Sequence, residues 1–445
     1  MTSDRLDALV VGGGISGLTI AFHLARGGRR IAVLEASEHV GGSIETRTDG
    51  AWRFEMGPNT VVESDESVGR LIRDCGLADD KITAAPTAKR RYLYKGGRLV
   101  PLPGGPGGFL KTPLFPLSAK LRLLREPWIG RPADGVEESI GQFVRRRLGQ
   151  AFLDYAVGPF VSGVYAGDPE RLSMRWAVPK IHALEERHGS LLRGALAKRK
   201  GPAAGGAMIS FRQGLAELPD RLAREIGDVR TGVACEKVTR TDGGFRAETA
   251  AGPVTAERVF LAVPADVTAR LLDETTAGAS RLFAEIPYAA VAVVSLGWRR
   301  EEVGHPLGGF GFLAPRKEGL RVLGCLFPSE IFPDRAPEGH VGLAAFAGGR
   351  TDPEIVGWED DRIVATVVDE LRGPLGLAGE PAFRLVRRWP RAIPQYELGH
   401  GRFVERAREI EAALPGLRIS GNFLAGVSVA DCIRNATAMA AGGAG

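Results

Sequence analysis

The sequence predicts an α/β (α+β) fold: a discontinuous Rossmann-like domain, interrupted by a helical insertion and by a sheet-based domain. Three observations predict it. A strand, a glycine-rich turn, a helix and a second strand open the chain; segments alternating like antiparallel strands fill its middle; a second strand, glycine turn and helix close it. The expected boundaries are residues 1–87, 206–270 and 396–445 for the three parts of the first domain, 88–205 for the insertion and 271–395 for the sheet domain.

The opening unit runs from an apolar strand over residues 8–11 through the turn Gly12-Gly13-Gly14-Ile15-Ser16-Gly17 into a helix expected over 18–27. A second strand over 31–34 leads to Glu35 and Ala36, and Gly41-Gly42 follows. Gly12 allows the tight turn, Gly14 lets backbone amides approach a pyrophosphate, and Gly17 lets the helix pack close to the sheet. The helix start then faces phosphate charge with free N–H groups. Glu35 is placed to accept hydrogen bonds from ribose hydroxyls and would repel a 2′-phosphate. The ordered unit predicts a bound dinucleotide, although the glycine turn alone separates neither NAD from FAD nor either from an ordinary βαβ turn. The stretch Gly41-Gly42-Ser43-Ile44-Glu45-Thr46-Arg47 resembles the glycine doublet of FAD-dependent amine-oxidase-like flavoproteins, many of which carry arginine where Ser43 stands.

Composition sets the limits. A chain of 445 residues holds two or three cores. Its 60 glycines are scattered at turns and form no repeat. The first strand begins so early that no signal or transit peptide is expected, and no apolar run is long enough to span a bilayer. Cys75, Cys235, Cys325 and Cys432 are far apart and predict neither a disulfide framework nor a metal site. His39 is read as a loop histidine rather than a covalent flavin link. Between residues 86 and 147 the local net charge is +9 against +5 for the whole chain, so the remainder nets −4. Such a region suits an acidic partner, either anionic lipid or a multi-carboxylate substrate, with nucleic acid the weakest of the three and not expected because no recognised module accompanies the charges; charge alone fits a solvated surface with no partner equally well.

Further along, a hairpin is expected over 91–100, a proline- and glycine-rich loop over 101–116, mainly helix over 118–196 and a linker over 200–206. A helix over 214–225, strands over 231–240, 245–249 and 258–263, then strands over 291–298, 309–314, 322–327 and 341–346 follow, with a helix over 360–371. The end returns to the first theme: a strand over 417–420, Gly421-Asn422, a turn at Gly426 and a helix over 428–441. Such a helix start would again place N–H groups against an anion; in the FAD proteins that this arrangement resembles, it meets the flavin where negative charge collects on reduction, and this second anchor decides for FAD over NAD.

Five segments carry a wider resemblance: Gly57-Pro58-Asn59-Thr60 after Glu55; Lys89-Arg90-Arg91-Tyr92-Leu93-Tyr94-Lys95-Gly96-Gly97; Ser162-Gly163-Val164-Tyr165-Ala166-Gly167-Asp168-Pro169; Gly309-Phe310-Gly311-Phe312-Leu313-Ala314-Pro315; and Phe332-Pro333-Asp334-Arg335-Ala336-Pro337. In this order they resemble the oxygen-dependent protoporphyrinogen oxidase family over nearly the whole chain. The resemblance implies non-covalent FAD held by Gly12, Gly13, Gly14, Ile15, Ser16, Gly17, Glu35, Ala36, Gly42, Ser43, Gly57, Pro58, Asn59 and Thr60. It adds Cys235, where relatives often carry valine, and Asn422, Val427, Ser428 and Val429. It implies that Arg91 pairs with a substrate propionate, that Phe310 packs on a pyrrole ring, that Gly163 lies near the pyrrole nitrogens, and that Asn59 lies near the reactive flavin edge. Ala290 falls where relatives often have a bulkier contact.

The implied reaction is six-electron oxidation of protoporphyrinogen IX in three two-electron steps, with oxygen as acceptor and hydrogen peroxide as product. It needs no nucleophile or metal. The resemblance further implies a cytoplasmic protein resting on the inner face of the cell membrane, with the next heme-pathway enzyme and a second copy as candidate partners. Coproporphyrinogen III oxidation stays open, as do another flavin amine oxidase or desaturase and a non-catalytic FAD-binding partner.

Overall fold

The computed structural model describes residues 5–133, 135–198 and 206–442, and in it three separate stretches of chain build one sheet. Leu6–Val11 lies between Ile31–Leu34 and Val254–Leu261, parallel to both. Val229–Arg230 extends the parallel part on one side, and Leu417–Ile419 pairs with Val254–Leu261. Gly244–Thr249 and Cys235–Thr241 add an antiparallel flap. The central strands are apolar throughout because both faces are covered. Helix Ile15–Arg26 and helix Val429–Gly442 pack on one face through Ile20, Leu24 and Ala436; helices Ala265–Leu271 and Gly401–Ala413 cover the other through Ala265, Phe403 and Ile410.

A second seven-stranded sheet runs in the order Phe383–Pro394, Tyr288–Arg299, His340–Gly348, Val322–Leu326, Gly311–Leu313, Tyr92–Lys95, Arg98–Pro101. One face is closed by helix Asp360–Leu375, whose Ile363, Val367 and Leu371 pack with Val294, Leu296 and Trp298. The hairpin drawn with the insertion therefore ends as the edge of this sheet, Tyr92 and Leu93 pairing in parallel with Phe312 and Leu313.

Several boundaries are corrected. The first helix begins at Ile15, inside the glycine turn, and ends at Arg26. A short helix, Pro106–Lys111, interrupts the stretch expected to be loop. The helix expected from residue 214 begins at Glu217, and the strand expected from 231 begins at Cys235. Neither strand Phe383–Pro394 nor helix Gly401–Ala413 is among the elements expected from the sequence: the strand's arginines fall at 384, 387, 388 and 391, with prolines at 390 and 394, so no period of two emerges. Residues 200–205 of the expected linker lie outside the described residues.

The insertion corrects the reading of charge. Arg147 is fully buried: its Nε donates to the Glu185 carboxylate at 2.5 Å and its Nη1 to Glu126 at 3.1 Å. Arg146 joins Glu138 and Glu185. Burial pushes the Glu185 carboxyl up, but the hydrogen bonds from Arg146 and Arg147 outweigh it and hold it below its ordinary value. Glu126, also fully buried, accepts from the backbone N–H groups of Leu191 and Leu192 at the start of helix Leu191–Lys198. Part of the basic excess is thus internal scaffolding, acid against base, rather than a surface for a partner. Between these helices, Leu153–Val157 widens to a π turn ahead of Pro159, whose ring cannot accept the carbonyl four residues back in a regular helix.

Candidate functional site

The glycine turn sits at the carboxyl end of Leu6–Val11. Gly12 has φ +108°, and a Cβ there would meet the Ala262 carbonyl oxygen at 2.4 Å; a Cβ on Gly17 would meet the Gly12 oxygen at 2.0 Å. Both positions are closed by backbone, which cannot yield. Gly14 differs: a Cβ there would meet nothing within 4 Å, so this is the open side of the turn. The doublet lies against it, with Gly41 N–H donating to the Gly13 oxygen at 2.8 Å. Glu35 leaves the second strand and accepts from Gly13 N–H at 2.6 Å and from Ser37 N–H at 2.9 Å. The chain returning from Val229–Arg230 closes this end, Val233 N–H donating to the Glu35 oxygen at 2.9 Å and Gly232 N–H to the Ser37 oxygen at 2.8 Å. Cys235, two residues on, is buried, and burial pushes its thiol up to about 11. Ala36 and His39 are exposed.

The C-terminal helix begins beside the first. Burial pushes the Cys432 thiol up to about 11, partly offset by a hydrogen bond with Ser16, and His23 Nε2 lies 3.1 Å from Thr437 Oγ1. Ser428 caps this helix: its Oγ accepts from Asp431 N–H at 3.1 Å and donates to the Asp431 carboxylate at 2.6 Å. Two helix starts, Ile15 and Val429, are therefore side by side. The segment Gly57–Thr60 is half-buried, its Asn59 amide donating to the Gly57 oxygen at 3.1 Å, and Trp389 Nε1 donates to the Met56 oxygen at 2.6 Å.

The predicted substrate residues divide. Arg91 is exposed and its guanidinium carbon stands 5.2 Å from the centre of the Phe310 ring, so these two are brought together. Phe310 N–H donates to the Arg90 oxygen at 2.8 Å, which fixes the pairing, and the ring packs beside Ile331 and Phe332. Gly163 faces Leu313: a Cβ there would lie 2.4 Å from Leu313 Cδ2, so glycine lets the helix close on the strand. Ala290 is half-buried, and its oxygen accepts from Gly349 N–H at 2.6 Å; Arg350 N–H donates to the Ala166 oxygen at 2.7 Å. Gly163 and Ala290 are thus linked through the end of helix Gly158–Tyr165 rather than to Arg91 directly. Sequence reasoning missed Glu55, Tyr396 and His400. Glu55 is buried, accepts from Thr46 Oγ1 at 2.6 Å and Leu215 N–H at 2.9 Å, and burial raises its pKa. Arg335 of the fifth motif is buried too, donating to the Phe211 oxygen at 3.0 Å. Among the described residues no cluster of His, Cys, Asp and Glu is arranged to hold a metal, and no helix is long and apolar enough to cross a membrane.

An open turn at Gly14, an acid at the end of the second strand and a second capped helix start define a two-anchor dinucleotide-binding protein with a separate sheet domain. The sequence profile of the flavin-containing amine oxidoreductases matches residues 15–442, and the chain belongs to that family. It is 34% identical to protoporphyrinogen oxidase of Nicotiana tabacum chloroplasts over 97% of this chain and 84% of that one. It is 28% identical to coproporphyrinogen III oxidase of Bacillus subtilis over 97% of each. The crystal structure of a candidate protoporphyrinogen oxidase from Exiguobacterium sp. 255-15 superposes with a TM-score of 0.84 at 26% identity, covering 99% of both chains. The protein is an FAD-dependent oxidoreductase whose cofactor is bound without a covalent link.

Proposed function

We propose that the protein oxidises protoporphyrinogen IX to protoporphyrin IX, passing electrons to FAD and from it to oxygen, with hydrogen peroxide released. The observation that carries this reading is the Arg91 guanidinium over the Phe310 ring, at 5.2 Å. A substrate with carboxylates on a large apolar macrocycle needs a cation at the rim of an apolar wall, and this pair supplies both. Its support from relatives is their names: protoporphyrinogen oxidases of tobacco and Arabidopsis, each 34% identical.

FAD supplies a two-electron acceptor, so the six-electron reaction takes three cycles. The residues present fit it. The open side of Gly14 and the helix start after it would receive the pyrophosphate, Glu35 the ribose, Cys235 the adenine side, and Gly42, Ser43, Gly57–Thr60, Asn422 and Val427–Val429 the flavin half. Arg91 would hold a propionate and Phe310 a pyrrole face, so that binding orients the macrocycle before reaction. The thiols of Cys235 and Cys432, raised by burial, stay protonated and serve packing rather than chemistry.

Coproporphyrinogen III is the second reading, favoured by the Bacillus subtilis relative and by Lys89 and Arg90, which stand next to Arg91 and would suit extra carboxylates. Aerobic assays on both porphyrinogens, followed by porphyrin fluorescence, decide between them, and FAD-loaded protein that oxidises neither overturns the proposal. Arg91→Ala should raise KM for the porphyrinogen and leave FAD bound; loss of FAD would make Arg91 structural.

The same proposal places the insertion on anionic lipid at the cytoplasmic face. Leu117, Leu121, Leu124 and Trp128 recur at helical spacing and are exposed, Trp128 by 79%. Arg125 stands among them, so an apolar stripe carries basic charge at its side. Flotation with vesicles containing phosphatidylglycerol should carry the protein, and Trp128→Glu should release it.

A further inference from the structure

One segment beside the C-terminal anchor has no part in the reading above: Pro394-Gln395-Tyr396-Glu397-Leu398-Gly399-His400, between the last strand of the second sheet and helix Gly401–Ala413. Its backbone is held from the insertion. Ser173 N–H donates to the Tyr396 oxygen at 2.8 Å, Leu398 N–H to the Arg171 oxygen at 3.0 Å, and Gly399 N–H to the Glu137 carboxylate at 2.8 Å. Its two rings reach the other way. The Tyr396 hydroxyl donates to the Asn422 carbonyl, and His400 Nε2 lies 3.3 Å from the Leu424 oxygen. A carbonyl only accepts, so Nε2 carries the proton of the neutral ring. Nδ1 is then a bare acceptor, buried without a partner. The two rings stand 4.5 Å apart, and each residue is 1% exposed.

The turn they reach has other ties of the same sort. Asn435 Nδ2 donates to the Ala425 oxygen at 2.9 Å, and Cys432 Sγ lies 3.7 Å from the Gly426 oxygen. Carbonyls at 422, 424, 425 and 426 are thus each engaged by a side chain. With those carbonyls engaged, the N–H groups at the start of helix Val429–Gly442 would meet an acceptor without opposing dipoles.

We infer that Tyr396 and His400 are positioning residues for the cofactor, fixing the turn 421–428 so that helix N–H groups meet the flavin. They also tie that turn to the helical insertion. The inference rests on the reading that this turn meets the flavin. Burial pushes the His400 ring down to about 4, so at neutral pH it donates without adding fixed charge near the flavin.

The test uses holoenzyme carrying Tyr396→Phe, His400→Phe, His400→Gln or Gly426→Ala. Dialysis measures FAD release, and a redox titration of the bound flavin gives its midpoint potential. Tyr396→Phe and His400→Phe should each weaken FAD retention about tenfold, as for an acceptor left unpaired in the interior. They should also shift the potential and lower kcat while KM for the porphyrinogen stays unchanged. His400→Gln keeps a donor and should restore most of the loss. Gly426→Ala distorts the turn independently, because φ there is +75° and its Cβ would meet Asp431 Cβ at 2.4 Å. Parental FAD retention and potential in both phenylalanine variants, with Gly426→Ala impaired, overturn the inference alone. If Gly426→Ala is also silent, the placement of flavin at this turn fails with it.

Discussion

The two anchors of the cradle are built differently. At Gly12–Gly17 the constraint is steric and comes from backbone: a side chain on Gly17 would strike the Gly12 carbonyl, and one on Gly12 would strike the carbonyl of Ala262, just past the neighbouring strand Val254–Leu261. At 421–428 side-chain hydrogen bonds are added to the glycine at 426: Cys432 and Asn435 from the helix that follows, Tyr396 and His400 from a separate segment. Steric constraint by backbone demands a particular residue, glycine, and so leaves a motif. The turn 421–428 also carries glycine at Gly426, but the hydrogen bonds from Tyr396 and His400 leave Asn422 and Leu424 free to be other residues, and their signal lies in another part of the chain, where it resembles any buried aromatic pair. The strength of a motif therefore measures where the constraint lies, not how much the site depends on it.

The contrast can be broken experimentally. The largest effect is expected from Gly17→Ala, where the added Cβ lies 2.0 Å from a carbonyl oxygen that is itself fixed in the turn. It should cost about 3 kcal/mol or more and abolish FAD retention on dialysis, since the helix must shift from the sheet. FAD bound with parental affinity in that variant would remove the steric account of the first anchor.

Next comes pH, which should act on the second anchor. The folded pKa of His400 lies at about 4, below its ordinary 6.5, because burial disfavours the imidazolium. The unfolded chain thus takes up a proton first as pH falls. The contribution is complete above pH 6.5 and is lost on acidification toward pH 4, by about 3 kcal/mol at the limit. Glu137 is the charged group that opposes this shift, while the packed neighbours Tyr396, Trp176 and Phe403 are aromatic. Denaturant unfolding between pH 7 and pH 4.5 should show a shallower loss in His400→Phe than in the parent; identical slopes would sink the prediction.

Smaller effects sharpen the comparison. Glu35→Gln leaves the turn intact but replaces one acceptor of the carboxylate that holds Gly13 and Ser37, for about 1.5 kcal/mol and a tenfold rise in FAD dissociation constant. Ser428→Ala removes the cap on Asp431 and should cost about 1 kcal/mol, seen as a lower Tm with FAD affinity reduced only a few-fold. A reversal of this order would mean that the cap, not the acid, governs cofactor binding.

Much of the first sheet was legible because buried parallel strands are apolar on both faces. Residues 31–34 match the observed strand, while the contact between Arg91 and Phe310 was not read from the sequence. The insertion was legible as helix but not as electrostatics. A run of arginines looks the same whether it faces water or an internal acid, and Arg147 faces Glu126 and Glu185 through partners 21 and 38 residues away. Strand Phe383–Pro394 escaped notice because adjacent arginines occupy both of its faces, Arg387 pairing with Glu45 and Arg388 with Asp360.

Local order alone announced the glycine turn, the acid after the second strand and the final helix, because each leaves a pattern within a few residues, even where, as at Gly12, the enforcing atom is the distant Ala262 carbonyl. Long-range packing settled the rest: which arginines are surface and which are scaffold, that Arg91 lies over a ring more than two hundred positions away, and that a tyrosine and a histidine hold the last turn. The physical reason is the range of the forces. Dihedral sterics and helix caps act between near neighbours in the chain, whereas burial, ion pairing and ring contacts act between whatever the fold brings together.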